Sequence, residues 1–376
     1  MTALRNDIDP DGLLEFSVVF TDRSLNHMSA AFQEVMRDIS SMLKEVYGAD
    51  ATALVPGGGT YAMESVARQL AEDESVMVIR NGWFSYRWTQ ILEAAKLPSE
   101  EHVMMARRTG NETRSPFQPA PVDEVVAQIA ENKPAAVFAP HVETSAGMIL
   151  PDEYIAKVAD AVHAEGGLFV LDCIASGCVW VDMKELGVDV LISAPQKGWS
   201  ASPSAGIVML SERAVERVKA RQSSSFAMDL GKWLSIMEAY EAGAHAYHAT
   251  MPTDALRAFR DTMLECRSYG FERLKAAQWE QGDRVRAVLA GKGFRSVAAE
   301  GFEAPGVVVC YTDNPEIQSG RAFANEGLQI AAGVPLQVGE GPEYKSFRVG
   351  LFGIDKLMDV DASVERFETA LDKVTG

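Results

Sequence analysis

The stretch that decides the fold runs from Leu168 to Trp199 and reads LFVLDCIASGCVWVDMKELGVDVLISAPQKGW. Two short apolar runs, Leu168–Leu171 and Val190–Ile192, each end abruptly in residues that suit a turn. Such runs are the pattern of strands buried on both faces. Working outward, similar runs occupy Val76–Ile79, Ala135–Ala139 and Gly206–Leu210. Between them, Val122–Ala130 and Asp152–His163 space their apolar residues three and four apart, which predicts amphipathic helices. Strand, helix and strand in alternation predict an α/β fold. Its sheet is mainly parallel, with right-handed crossovers that put helices on both faces.

The chain has 376 residues, enough for two or three units. The large one is expected over residues 15–253. From Asp254 to Gly291 the pattern reads as one long helix with an interruption near Gly270. Short strands at Gly306–Tyr311 and Ser346–Leu351 then flank a helix near Asn314–Glu326, and Ala362–Val374 closes the chain as a helix. Residues 254–376 therefore read as a linking helix and a small C-terminal α+β domain.

Lys and Arg number 35 against 53 Asp and Glu, a net charge of -18. This disfavours nucleic acid or an anionic membrane as the main partner, though a local cationic pocket for a small anion is compatible with it. The four cysteines, Cys173, Cys178, Cys266 and Cys310, form no CxxC pair, which predicts reduced thiols and a cytoplasmic protein. The opening MTALRNDIDPDGLLEF carries acids where a signal peptide has a basic region, and no run approaches a membrane-spanning length.

In an open parallel sheet, ligands gather outside the carboxyl ends of the strands. Three strand ends carry chemistry. Pro56-Gly57-Gly58-Gly59-Thr60 leads into a helical pattern, so it is either a plain tight turn or a phosphate cradle of backbone N–H groups with the Thr60 hydroxyl. Asp172 ends an apolar strand, where a carboxylate needs a partner. That partner is a metal, a ribose hydroxyl, a protonated ring nitrogen, a helix N-terminus or a structural cation. Lys197 follows the strand Val190–Ile192 within a turn-forming segment, as a surface lysine or as a Schiff-base nucleophile. A fourth feature is Arg348, inside the apolar strand Ser346–Leu351, which needs an internal ion pair or the carboxylate or phosphate of a ligand.

The order of these features narrows the choice. A phosphate cradle, a strand-end aspartate and a strand-end lysine are what pyridoxal 5′-phosphate requires. The turn holds the phosphate, the aspartate keeps the ring nitrogen protonated, and the lysine binds the aldehyde. Other residues carry blander readings. His141 reads as structural as readily as catalytic, and His245 and His248 lack the acids or cysteines of a metal site. Cys173 reads as buried packing, and Val103-Met104-Met105 as an ordinary buried strand.

On the runs Asp172-Cys173-Ile174-Ala175-Ser176 and Ser193-Ala194-Pro195-Gln196-Lys197, the chain resembles the class V, fold type I pyridoxal-phosphate aminotransferases. Within them it looks most like the alanine/serine–glyoxylate branch, over roughly residues 21–370. The resemblance implies that Gly58, Gly59 and Thr60 hold the phosphate. It implies that Phe84 stacks on the cofactor ring, with Trp83 as the substitute if the register slips. Thr144 then lies near the 3-oxygen, Asp172 at the ring nitrogen and Ile174 on the opposite face. Gln196 falls on the phosphate side, Lys197 is the Schiff-base lysine, and Arg348 takes the substrate α-carboxylate. Tyr247 and Thr250 match a pair that reaches the phosphate of a neighbouring subunit, which implies a homodimer with shared sites.

The family's opening Gly-Pro-Gly-Pro loop is replaced here by Asp9-Pro10-Asp11-Gly12, whereas Thr21–Ser24 resembles the Asp-His-Arg-Ser stretch of glyoxylate-using relatives. The implied reaction is transfer of an amino group from alanine, serine or a similar amino acid to a 2-oxo acid such as glyoxylate or pyruvate, by a ping-pong cycle through an internal aldimine. The alternatives are an aminophosphonate transaminase, a lyase, a desulfurase, or a catalytically silent binding protein of the same fold.

Overall fold

A computed structural model describes residues 8–376. The charge pattern read at residues 1–7 lies outside the described residues. The chain enters through α1 (Ala30–Tyr47), whose first turn is capped by the Ser29 hydroxyl accepting from the Phe32 N–H. There follow β1 (Ala51–Pro56), α2 (Gly59–Leu70), β2 (Ser75–Arg80), α3 (Trp83–Ala95), β3 (Glu100–Met105), α4 (Val122–Asn132), β4 (Ala136–Pro140) and α5 (Asp152–Ala164). Then come β5 (Leu168–Asp172), β6 (Val190–Ser193) and β7 (Ala205–Leu210).

These seven strands form one sheet in the order β1-β7-β6-β5-β4-β2-β3. The pairs β6–β5, β5–β4, β4–β2 and β2–β3 are parallel, while β7 runs antiparallel to both neighbours, β1 and β6. The mostly parallel α/β architecture expected from the apolar runs is therefore present. Strands β4 to β7 are buried along their whole length, as a sheet covered on both faces requires.

Strand β1 was not among the runs read from sequence, because two alanines and a threonine dilute its apolar character. The reading of Val103–Met105 as buried needs correction. It belongs to β3, which lies at the sheet edge and is only partly covered, leaving Met105 42% exposed.

Helices α6 (Glu212–Ala220) and α7 (Leu230–Glu241) complete the first layer. The expected long helix is two, α8 (Thr253–Tyr269) and α9 (Phe271–Gly291). Gly270 divides them at φ 106, a backbone state that side-chain-bearing residues rarely adopt. Leu256, Phe259, Met263 and Cys266 of α8 pack into the core around the large sheet.

The second half of α9 covers a different sheet, with strand order β8-β10-β9, formed by β8 (Val307–Tyr311), β9 (Ala331–Ala332) and β10 (Ser346–Gly350). Its own core joins Val285 and Leu289 of α9 to Val308, Phe323, Phe347 and Phe367, the last on the closing helix α10 (Val360–Thr375). The helix expected near Asn314–Glu326 is two short ones, Pro315–Gln318 and Arg321–Asn325, separated by Gly320.

Strands β1, β2, β4, β5 and β6 point the same way, so Gly57, Asn81, His141, Cys173 and Ala194 all follow at one edge. The chemistry-bearing turns therefore meet there, as the crevice rule for open sheets anticipates.

Candidate active site

A cavity of about 610 Å³ opens at that edge, between the large sheet and β10 of the small one. Its walls include Gly59, Thr60, Phe84, Thr144, Asp172, Ile174, Gln196, Lys197 and Arg348. Nine residues singled out from sequence thus share one cavity, although 289 positions separate Gly59 from Arg348. Gly58 lies behind them as the N-cap of α2, its carbonyl accepting from the N–H groups of Tyr61 and Ala62. Trp83 is not part of the wall; its ring packs on Tyr86. Of Trp83 and Phe84, it is Phe84 that lines the cavity, with Phe352 as the other aromatic in its wall.

Asp172 is buried at the end of β5, and the donor it has among the described residues is the Ile174 N–H, 2.9 Å from Oδ1. Burial raises its pKa to about 7 against that hydrogen bond, with the Glu143 charge adding to the rise. No helix starts at Asp172 and no cation pairs with it among the described residues. The helix-cap and structural ion-pair readings are therefore out. A carboxylate this short of donors suits a protonated ring nitrogen.

Lys197 is half-buried, with its Nζ 5.1 Å from the centroid of the Phe352 ring. Burial, and then the positive charge of Arg348, lower its pKa below that of an ordinary lysine, which favours the neutral, nucleophilic amine. Its anchorage is firm. Trp199 is fully buried and packs on Trp180 at 4.8 Å, with Tyr47, Phe259 and Phe271 around it.

Arg348 donates from Nε to the Ala332 carbonyl at 2.8 Å, and its Cζ lies 5.5 Å from the Phe84 centroid. No carboxylate among the described residues lies within ion-pair distance of it, which removes the internal ion-pair reading. Burial lowers its pKa, and Glu143 opposes this at longer range.

The cavity fits pyridoxal phosphate on three observations. A Cβ on Gly59 would collide with Ile174 Cδ1, so the floor between the α2 N-terminus and Ile174 is kept open by the missing side chain. Gln196, on the cavity wall beside Lys197, has a buried Oε1 with no partner among the described residues, so its amide is left for a ligand. The donor set, a helix N-terminus without acids in its first turn plus the Thr60 hydroxyl, suits an anion.

Tyr247 and Thr250 lie outside this cavity, bonded to each other at 3.1 Å, with Tyr247 53% exposed. His141 is buried, with Nδ1 2.7 Å from the Ser176 hydroxyl, and burial with the nearby Lys275 charge pushes its pKa down to about 3. It is a neutral structural group behind Asp172, whose backbone carbonyl accepts from its N–H. The four thiols are free and buried, and no metal-holding group of His, Cys, Asp or Glu occurs among the described residues.

Sequence reasoning missed Glu143 and Arg87. Glu143 is fully buried between the start of α3 and the segment bearing Thr144. Its Oε1 accepts from Phe84 N–H (3.2 Å), Ser145 N–H (3.0 Å) and Ser145 hydroxyl (2.6 Å), and its Oε2 from Ser85 N–H (2.8 Å) and Ser85 hydroxyl (2.7 Å). The available signal was a lone acid in the small-residue run Thr144-Ser145-Ala146-Gly147 after a strand.

The Aminotransferase class-V family profile matches residues 15–332. Alanine–glyoxylate aminotransferase 1 of Saccharomyces cerevisiae is 25% identical over 88% of this chain and 86% of its own. 2-Aminoethylphosphonate–pyruvate transaminase of Vibrio vulnificus is 25% identical over 90% and 88%. A protein named as the small subunit of a soluble hydrogenase, from Synechococcus sp., is 25% identical over 92% and 87%. Among solved structures, the alanine–glyoxylate aminotransferase of Nostoc sp. superposes with a TM-score of 0.79 at 22% identity, covering 94% of this chain and 89% of that one.

Two outcomes are expected from this geometry. Asp172 binds protons more readily in the folded, cofactor-free protein than in the unfolded chain, so stability falls as pH rises from about 4 to about 7. Asp172→Asn removes that penalty. Thermal unfolding of the cofactor-free variant should show a higher midpoint than wild type at pH 8 and no gain at pH 4; equal midpoints at pH 8 would refute the buried-charge account. Glu143→Ala leaves four donors without an acceptor, the Ser85 hydroxyl keeping the Gly82 carbonyl, and should cost on the order of 3 kcal/mol in urea unfolding, whereas a loss below roughly 1 kcal/mol would mean that water replaces the carboxylate.

Proposed function

The chain belongs to the class V aminotransferases, and on that premise we propose that it moves the amino group of a small amino acid such as alanine or serine to a 2-oxo acid such as glyoxylate or pyruvate. The enzyme is a pyridoxal-phosphate-dependent transaminase. The observation that carries the proposed site is the convergence, in one cavity, of an amine of lowered pKa, a donor-poor strand-end carboxylate and an arginine with no ion pair among the described residues.

When bound, pyridoxal phosphate supplies an aldehyde and an electron-withdrawing ring. Lys197 would hold it covalently, and its amine, once displaced by the substrate's, would act as base on the substrate α-carbon proton and then as acid toward the cofactor carbon that bore the aldehyde. Asp172 would hold the ring N–H, and as a carboxylate there it keeps the ring protonated. Phe84 and Ile174 would cover the ring faces, Thr144 would lie at the 3-oxygen, and Gly58, Gly59, Thr60 and Gln196 would hold the phosphate. Arg348, whose terminal nitrogens meet no carboxylate among the described residues, would fix the α-carboxylate and so orient the bond to be broken.

A homodimer with shared sites is part of the proposal. Leu13, Phe16 and Val18 are each at least 90% exposed, and Tyr61, Phe226 and Tyr247 are more than half exposed. That much uncovered apolar surface supports a partner subunit, and the position of Tyr247 and Thr250 outside their own cavity suits a pair that completes the neighbour's phosphate site. The division into a unit over 15–253 and a linking helix with a small unit over 254–376 belongs to the same proposal, supported by the separate core of the small sheet. So does a cytoplasmic location, supported by four unpaired thiols; no helix among the described residues is long and apolar enough to cross a membrane.

The second reading with a specific observation behind it is an aminophosphonate donor, suggested by the Vibrio relative. A desulfurase is disfavoured, because each thiol is buried and none lines the cavity.

Half-reactions of the purified holoenzyme with alanine, serine, aspartate and 2-aminoethylphosphonate should convert the cofactor to its amine form fastest with alanine or serine; a response to 2-aminoethylphosphonate alone would replace this reading with the second. Lys197→Ala should abolish turnover, and borohydride should trap the cofactor on Lys197 in the wild type. Trapping at any other lysine would overturn the site. Arg348→Gln removes a positive charge that lowers the Lys197 pKa, so the pH midpoint for attachment of pyridoxal phosphate to the cofactor-free protein should move up, while KM for alanine rises roughly tenfold or more. An unmoved midpoint would separate the two side chains electrostatically.

A further inference from the structure

The cavity contains a third cation that none of the steps above uses. Arg87 lies on α3 three residues after Phe84, so the two side chains share a helix face. Its Cζ is 5.3 Å from the Phe84 centroid, and its Nη1 donates to Thr60 Oγ1 at 3.1 Å. No carboxylate among the described residues lies within ion-pair distance; the acid it influences is Asp172, through space. A guanidinium on a cavity wall without a counter-ion keeps its planar fork of donors available to an arriving anion.

Thr60 gives the direction of that anion. A hydroxyl has one hydrogen to donate and two lone pairs. With one lone pair engaged by Arg87, the Thr60 hydrogen turns away from the guanidinium and becomes a stronger donor. It sits in the first turn of α2, where backbone N–H groups already favour negative charge. Glycines and a hydroxyl bring no full charge to meet a phosphate dianion. Lys197 is needed for the aldehyde and Arg348 for the carboxylate, which leaves Arg87.

We propose that Arg87 is a positioning residue for the cofactor phosphate: it orients the Thr60 hydroxyl toward the phosphate and supplies the counter-charge that holds it as a dianion. This rests on the reading above that the Gly58–Thr60 turn takes the phosphate. It goes beyond that reading by naming a cation, 27 residues from the turn and on another helix, on which the turn depends.

The test titrates cofactor-free wild type, Arg87→Gln, Arg87→Lys, Thr60→Val and the Arg87→Gln/Thr60→Val double variant with pyridoxal phosphate and with pyridoxal, which lacks the phosphate. Arg87→Gln should weaken pyridoxal phosphate roughly 10- to 100-fold and change pyridoxal less than about twofold. Arg87→Lys should recover part of the loss by restoring charge without the fork. In the Thr60→Val background the same Arg87→Gln change should cost measurably less, since part of its effect runs through the hydroxyl. In ³¹P spectra of the loaded proteins, the bound phosphate should titrate at higher pH in Arg87→Gln than in wild type, because loss of a neighbouring cation favours protonation.

Equal weakening of both ligands would mark a folding role and overturn the proposal, as would unchanged affinity with an unmoved phosphate titration. A change confined to KM for aspartate or 2-aminoethylphosphonate would assign Arg87 to the substrate instead and overturn it as well. If borohydride fails to trap the cofactor on wild-type Lys197, the parent reading falls. If Lys197 is trapped and Arg87→Gln binds like wild type, only the present one does.

Discussion

One buried carboxylate ties the cavity together. Glu143 takes five hydrogen bonds from two segments distant in sequence, the start of α3 and the turn after β4. Hydrogen bonds to an ionised acceptor are the stronger kind, and burial strengthens them further. Through them Phe84 and Arg87, on α3, are held in register with Thr144, which follows the neighbouring strand β4. The Phe84–Arg87 wall and the Thr144 wall of the cavity thus share one anchor, and neither can shift without stranding several donors.

Charge is distributed on the same principle. The molecule carries a net -18, yet Lys197, Arg348 and Arg87 line a cavity in which Asp172 is the acid wall. Each cation lacks an ion-pair partner among the described residues. Such a pocket in an acidic protein attracts small anions at short range while the outer surface keeps larger polyanions away. A phosphorylated cofactor and a carboxylate substrate fit that pattern.

Much of this was legible in the sequence, and the limits have physical causes. Continuous apolar runs marked the parallel strands because a strand covered on both faces has no polar side to show. Asp172, Lys197 and Arg348 stood out because a charged group at or within such a run is expensive. Strand β1 escaped notice because alanine and threonine fill a buried strand without announcing it, and β3 was misjudged because edge exposure is a property of the sheet. Glu143 and Arg87 were hidden for a different reason. Each sits in a segment whose local pattern is unremarkable, and its partners come from elements brought near only by folding. Residues that carry a reaction leave a local signature; residues that hold them in place leave a tertiary one.

The aromatic cluster beneath Trp199 has a bearing on turnover itself. In the cycle proposed above, the arm of Lys197 would let go of its covalent partner, stand aside, and return. Because the adjoining indole is locked among four other rings, the main chain at that point has nowhere to go. Release and recapture are then reduced to rotations about the bonds of a single alkyl tether. Recapture need not wait for a loop to refold.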